Sequence, residues 1–169
     1  MIIRPEAADD HAVISEVNRA AFGGPLEAML VERLRSDGLI VASLVAEESG
    51  LITGHILFSN IKLETPGGDV IVVASLAPMA VLPSRQRRGI GSMLVHAGIE
   101  ACTKAREKAV LVVGHLDYYP RFGFSHALVS RLENPFAANE AFMGLELVQG
   151  SLTGIAGRVV YPEAFRVFS

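Results

Sequence analysis

An α/β fold in one domain is the architecture this sequence predicts, and three observations predict it. Residues Val70 to Val113 read as strand, helix, strand, the order of a right-handed βαβ crossover. Ahead of that unit lie β-rich segments separated by clusters of turn residues. Half of the 169 residues are hydrophobic and 20% are charged, which is enough apolar chain for a substantial core at the length of a single domain. No repeat, low-complexity tract or linker interrupts the chain.

Ile2-Ile3-Arg4 reads as a short first strand. Asp9 or Asp10 is placed to cap a helix in which Val13, Ile14, Val17 and Ala21 keep helical spacing. Gly23-Gly24 breaks that helix. Pro25 opens a second one, with Leu26, Met29, Leu30 and Leu34 on its apolar face and Gly38 at its end. Ile40 to Ala46 and Leu51 to Ile61 are strands around the turn Glu48-Ser49-Gly50. Val70 to Val81 is long, apolar and β-branched, so it belongs in the middle of a sheet. Pro78 removes one ladder donor from it, which predicts a bulge or a local split from a neighbouring strand. Gly89 to Glu107 is the strongest helix signal, apolar over most of its circumference, so it should be covered on more than one side. Ala109 to Val113 is a compact buried strand, Asp117 to Phe122 a short helix, and Ala141 to Val148 and Arg158 to Tyr161 late strands.

A net charge of −3 gives no general attraction for nucleic acid or for an acidic membrane surface. The single cysteine, Cys102, excludes an intrachain disulfide and falls on a helix face expected to be buried. The N-terminal residues lack the pattern of a secretory signal, and no stretch suits a bilayer span, so a cytoplasmic protein is expected. His11, His55, His96 and His126 show no ligand spacing, and no metal is expected.

The chemistry concentrates in Pro83-Ser84-Arg85-Gln86-Arg87-Arg88-Gly89-Ile90-Gly91-Ser92, which joins the central strand to the main helix. The first turn of a helix carries amides without internal partners and a partial positive charge, and glycines let a ligand approach the backbone. Together these make an anion site. A P-loop would need a Gly-Lys-Ser/Thr ending, which is absent. The dinucleotide fingerprint would need a third glycine where Leu94 stands. On spacing alone, a plain strand-to-helix turn with a solvated basic rim remains the alternative.

Gln86-Arg87-Arg88-Gly89-Ile90-Gly91 resembles the Gln/Arg-x-x-Gly-x-Gly/Ala signature of the GNAT superfamily of acetyl-CoA-dependent N-acyltransferases. Met79-Ala80-Val81-Leu82-Pro83 precedes it as that family's fourth strand does, and Phe122-Gly123-Phe124 is similar to its closing Gly-Phe element. Phe142 to Leu147 and the tail Tyr161 to Phe165 resemble a subgroup of acetyltransferases without an assigned substrate. The resemblance implies a mixed, mostly antiparallel central sheet with helices on both faces and strands splayed near the cofactor. It implies one N-acetyltransferase domain over residues 1–169, with about 150–169 as a C-terminal extension packed on it.

It also implies acetyl-CoA as cosubstrate. Arg87, Arg88, Gly89, Ile90, Gly91 and Ser92 would hold the pyrophosphate, and the backbone of Met79, Ala80 and Val81 the pantetheine arm. Tyr119 matches the acid of the family's Phe-Tyr-x-x-x-Gly-Phe pattern, with Tyr118 in the phenylalanine's place as a packing residue. Proton transfer from a free tyrosine (pKa ~10) to a thiolate (~8.5) is uphill by only ~2 kcal/mol. Where the family has an Asn-x-x-Ala helix turn, this chain has Gly114-His115-Leu116-Asp117, so the helix there should be short. Glu27, Glu47, His115 and Asp117 are candidates for the general base by chain position alone.

The implied reaction is acetyl transfer to a primary amine, on a small molecule or a protein, by direct attack in a ternary complex. A non-catalytic acyl-CoA-binding sensor or partner module is the alternative, and Tyr119 favours the enzyme. An RNA-binding role for Arg85, Arg87 and Arg88 lacks an aromatic platform. The family often dimerises, which makes a homodimer the expected assembly if one forms. Phe22, Leu26, Met29 and Leu30, and the tail after Gly150, are the segments expected near the acceptor.

Overall fold

A computed structural model of the chain describes residues 1–137 and 139–169. Among the described residues, eight strands make one sheet: β1 (Ile2–Pro5), β2 (Ile40–Glu48), β3 (Leu51–Glu64), β4 (Val70–Val81), β5 (Ala109–Val113), β6 (Leu132–Glu133), β7 (Phe142–Glu146) and β8 (Gly157–Val160). The main order is β1-β2-β3-β4-β5-β7. β4 and β5 run parallel, as the predicted crossover requires, and the other neighbours on that path are antiparallel. Past the end of its pairing with β2, β3 takes up β8 through Lys62–Glu64, and β8 in turn pairs with β6 in parallel. The mixed, mostly antiparallel sheet is therefore observed.

Alternation along the strands sends side chains to two separate cores. Leu44, Ile56 and Phe58 pack on one face under α3 (Ile90–Lys104), against Ile90, Leu94, Val95 and Cys102. Val45, Leu57 and Ile61 pack on the other face under α1 (His11–Phe22) and α2 (Leu26–Ser36), against Ile14, Leu30 and Leu34. Each buried aliphatic side chain contributes about 1.5–3 kcal/mol of transfer free energy, so both helical layers are held chiefly by burial. Burial also pushes the Cys102 thiol up to about 12, with Glu107 adding to the effect, so this cysteine is an inert core residue.

Several elements differ in detail from the sequence reading. Asp10 does not cap α1 with its side chain. Its carboxylate turns back to accept from the Ala7 amide at 2.7 Å and to pair with Arg4 at 2.7 Å, which ties β1 to the start of the helix. A 3-10 turn over Ala8–Asp10 precedes the helix as a result. The segment after β5 forms only a 3-10 turn, Tyr119–Phe122. β6 is two residues long, too short to leave a periodic signal.

One polar chain crosses the α1-side core. The Asn18 amide donates to His55 Nδ1 at 3.1 Å, and His55 Nε2 lies 2.9 Å from the Ser43 hydroxyl. Ser43 donates in turn to Glu6, which is paired with Arg35 at 3.0 Å and His11 at 2.8 Å. With Asn18 donating to Nδ1, the His55 proton sits on Nε2 and every link has one donor and one acceptor. The chain pins α1 to the sheet through β2 and β3.

Burial pushes His55 down from 6.5 to about 4, with Arg35 acting in the same direction and Glu6 against it. Below its unfolded pKa the unfolded chain takes up a proton that the folded chain refuses, so stability falls with pH. Between pH 6.5 and 4 the loss should reach about 3 kcal/mol. Denaturant titrations at several pH values should show this slope in the native protein and a flatter one in His55→Gln. An equal slope in both would remove His55 as its source. Glu6 and Asp10, both held below the usual carboxylate range, act at lower pH.

Candidate active site

β4 and β5 pair only at Ala74–Val110 and Ser75–Leu111. Beyond Ser75, β4 runs on to Val81 without β5. On its other edge it stays bonded to β3, with a register shift between Ile56 and Phe58, opposite the segment that contains Pro78. The local split predicted from Pro78 is thus present, and the strands open into a gap. Met79, Ala80 and Val81 pair with Ile56, His55 and Gly54, which leaves their opposite backbone edge toward the gap.

Two cavities meet there. The first is about 510 Å³ and includes Met79, Val81, Arg87, Gly89, Ile90, Gly91 and Ser92 in its wall. The second is about 460 Å³ and is walled by Ser75 to Met79 of β4, the end of β5, α2 and the C-terminal tail. Phe22, Met79, His115 and Tyr119 line both. The junction of the two cavities is therefore made by four side chains from three segments: α1, β4 and the stretch after β5.

The turn between β4 and α3 is held by its own side chains. Gln86 donates to the Val81 carbonyl at 3.1 Å, the Arg85 amide donates to Leu82 at 2.8 Å, and the Arg85 guanidinium pairs with Glu48 at 3.0 Å. Gly89, in the left-handed region at φ 82°, turns the chain into the helix. The first backbone bond of the helix runs from the Met93 amide to Gly89 at 3.1 Å. Among the described residues, the amides of 87 to 92 have no hydrogen-bond acceptor within the protein. Six donors in sequence at a helix N-terminus form a ready anion cradle. Arg87 and Arg121 add positive charge to this cavity, whereas Arg88 is exposed and lies outside its wall. Ala80 is buried, so only its backbone can take part.

The two tyrosines divide between these features. The Tyr118 hydroxyl stands 3.4 Å from Ser92 Oγ, beside the turn, with the Arg121 guanidinium 4.8 Å from its ring centre. Tyr118 thus does more than pack, although its ring also meets Tyr119 and Phe122 edge-on. Tyr119 is 7% exposed and its ring is wedged against Phe124 and Gly114. A Cβ on Gly114 would come within 2.3 Å of that ring, so glycine is required there for Tyr119 to sit at the junction. Burial raises the Tyr119 hydroxyl above the ordinary tyrosine range, and Tyr118 adds to the shift.

The four base candidates separate clearly. Glu47 is paired with Arg4 at 3.3 Å on the β1 edge, and Asp117 is exposed and lines neither cavity. His115 lines both cavities and Glu27 lines the second. Phe22 and Leu30 reach the second cavity, while Leu26 and Met29 are exposed outside it. Sequence reasoning missed Phe136, Phe168 and Arg121. The tail after Gly150 was expected on this side, but nothing local indicated that its aromatics return to Phe136. Among the described residues, no group of three His, Cys, Asp or Glu is placed to hold a metal ion. No helix among them is long and apolar enough to cross a membrane.

Comparison with known proteins agrees with this geometry. Residues 40–126 match the family model described as an acetyltransferase (GNAT) domain. The chain is 32% identical over 170 residues to the uncharacterized N-acetyltransferase YhbS of Escherichia coli strain K12, covering 99% of this chain and 100% of the relative. The crystal structure of YhbS in complex with CoA superposes with a TM-score of 0.88 at 31% identity, over 99% of this chain and 93% of that one. A GNAT family acetyltransferase from Brucella melitensis in complex with acetyl-CoA gives 0.80 at 34% identity, over 97% of each chain. With the split strand, the signature turn and these matches together, the chain belongs to the GNAT family of acetyltransferases.

Proposed function

We propose that this acetyltransferase moves the acetyl group of acetyl-CoA to a primary amine by direct attack in a ternary complex, with residues 1–169 working as one domain. The observation that carries the reading is the row of unpartnered amides from 87 to 92 at the mouth of a gap opened between β4 and β5. Arg87, Arg88, Gly89, Ile90, Gly91 and Ser92 would hold the diphosphate. The free backbone edge of Met79, Ala80 and Val81 would align the pantetheine arm and offer an amide to the carbonyl oxygen on which charge develops. Acetyl-CoA supplies an activated acyl carbon on a thiol leaving group.

The chain's contribution is placement and proton handling. The two cavities meet at Tyr119, so a nucleophile from the second and a thioester from the first arrive on opposite sides of one phenol. As the N–C bond forms and the C–S bond breaks, the amine loses a proton and the sulfur gains one. Tyr119 is the donor to sulfur. His115 and Glu27 face the side from which the amine comes. A cytoplasmic enzyme fits the lone, buried, non-bridging Cys102.

The test is a paired measurement on the intact protein. Acetyl-CoA should raise the melting temperature, and free thiol should appear only when an amine is added. A thermal shift without amine-dependent thiol release across a broad panel would favour the non-catalytic acyl-CoA-binding module instead.

A further inference from the structure

We infer that the acceptor is a primary amine carried on an uncharged, apolar body, aromatic or branched aliphatic, docked among the rings of the C-terminal tail with Glu27 receiving its ammonium end. The inference rests on the transferase reading above and concerns the second cavity alone.

The first argument is the wall chemistry. Phe136, Tyr161, Phe165 and Phe168 gather from two distant segments into one ring cluster. Phe136 lies 4.8 Å from Tyr161, 6.3 Å from Phe165 and 6.3 Å from Phe168, and Tyr161 lies 4.7 Å from Phe165. Asn134 donates to the Tyr161 hydroxyl at 2.9 Å, which satisfies the cluster's polar end within the protein. Phe22 and Tyr119 close the side toward the junction, and Leu30, Leu76 and Val113 complete an apolar lining. A volume of about 460 Å³ suits a small molecule.

The second argument is charge. Arg85, Arg87 and Arg121 line the first cavity, but among the described residues neither Lys nor Arg lines the second, where Glu27 is the one acidic side chain. An acceptor with a carboxylate would bury an anion beside Glu27 with no cation to meet it, an unfavourable transfer. An ammonium ion is the complementary charge, and it must shed a proton before it can attack. Glu27 and His115 are the polar groups that can accept that proton on this side. The tail is therefore a specificity element, even though Phe165 is also buried in the core under α1 and α2.

The experiment compares 2-phenylethylamine and 3-methylbutylamine with L-phenylalanine and ethylamine as acceptors, following thiol release at saturating acetyl-CoA, with the acetyl-CoA thermal shift read on the same sample. The two apolar amines should exceed ethylamine in kcat/KM by roughly 10–100-fold, the value of burying one such side chain. L-phenylalanine should fall at least as far, even though its amine is the less basic and so more of it is neutral. Glu27→Gln and Phe136→Ala should raise KM for the apolar amines and leave KM for acetyl-CoA unchanged. Rates for L-phenylalanine or ethylamine equal to those of the apolar amines would overturn the inference, as would no turnover of either apolar amine. Unmoved acceptor KM values in both variants would do the same. If acetyl-CoA gives no thermal shift, the transferase reading itself falls, and the acceptor inference with it.

Discussion

Gly89→Glu should abolish the thermal stabilisation that acetyl-CoA gives the native protein. At a hundredfold excess over its Kd a ligand adds about 2.7 kcal/mol, which for a chain of this size is a rise of roughly 5–10 °C. The substitution acts where the cradle is open. A Cβ on Gly89 meets no atom within 4 Å, so the new side chain leaves the backbone into open space, where its carboxylate would compete for the amides proposed to hold phosphate. Those amides would then be partnered by a resident anion, and an incoming diphosphate would meet like charge. Affinity should fall at least about a hundredfold, or ~2.7 kcal/mol. Because Gly89 has φ 82°, glutamate also strains the backbone, and a loss of stability alone would prove little. Gly89→Asn separates the two effects, since asparagine tolerates the left-handed region and carries no charge. The asparagine variant should keep most of the thermal shift. A full shift in the glutamate variant would place the diphosphate elsewhere and take the proposed site with it.

What could be read in advance follows the range of the interactions concerned. The βαβ unit was legible because β4, α3 and β5 are each strongly patterned and adjacent in the chain. The row of open amides was legible because Arg87 to Ser92 are consecutive, and backbone donors need no knowledge of tertiary structure. Pro78 announced the split in β4, but not that the pairing with β5 stops at Ser75. The wall of the second cavity was legible only in part: Phe22, Leu30 and the tail after Gly150 were expected together, but nothing local showed that Phe136, after β6, and Phe168, at the end of the chain, join them. Glu27 and Glu47 look alike as letters, and only the fold gives Glu47 an arginine and leaves Glu27 in a cavity. Asp10 misled for a related reason. A capping carboxylate and one paired with Arg4 carry the same local signature, and the ion pair prevailed because β1 brings Arg4 within 2.7 Å.

Tyr119→Phe should lower kcat by about 10²–10⁴-fold, the usual contribution of a positioned acid, with KM for acetyl-CoA and its thermal shift unchanged. Removing one hydroxyl leaves the ring wedged against Gly114 and Phe124, so neither the junction nor the fold should move. The raised pKa of Tyr119 bears on this in two opposed ways. It keeps the phenol protonated throughout the ordinary working range, so the donor is always loaded. It also makes proton transfer to a free thiolate more uphill than the ~2 kcal/mol of the model groups. In the proposed geometry the second effect would be offset, because a sulfur departing into the same desolvated space would hold a proton more tightly for the same reason. With Tyr119 as the acid, both groups would shift together and their match would be kept. Any alkaline loss of activity below the tyrosine range should therefore belong to another group and persist in the phenylalanine variant. Tyr118→Phe is the control: its hydroxyl meets Ser92 at the turn, so its loss should act through acetyl-CoA binding and spare kcat. If Tyr119→Phe keeps kcat within threefold while Tyr118→Phe loses it, the two tyrosines have been assigned the wrong way round, and the acid stands at the helix end of the gap.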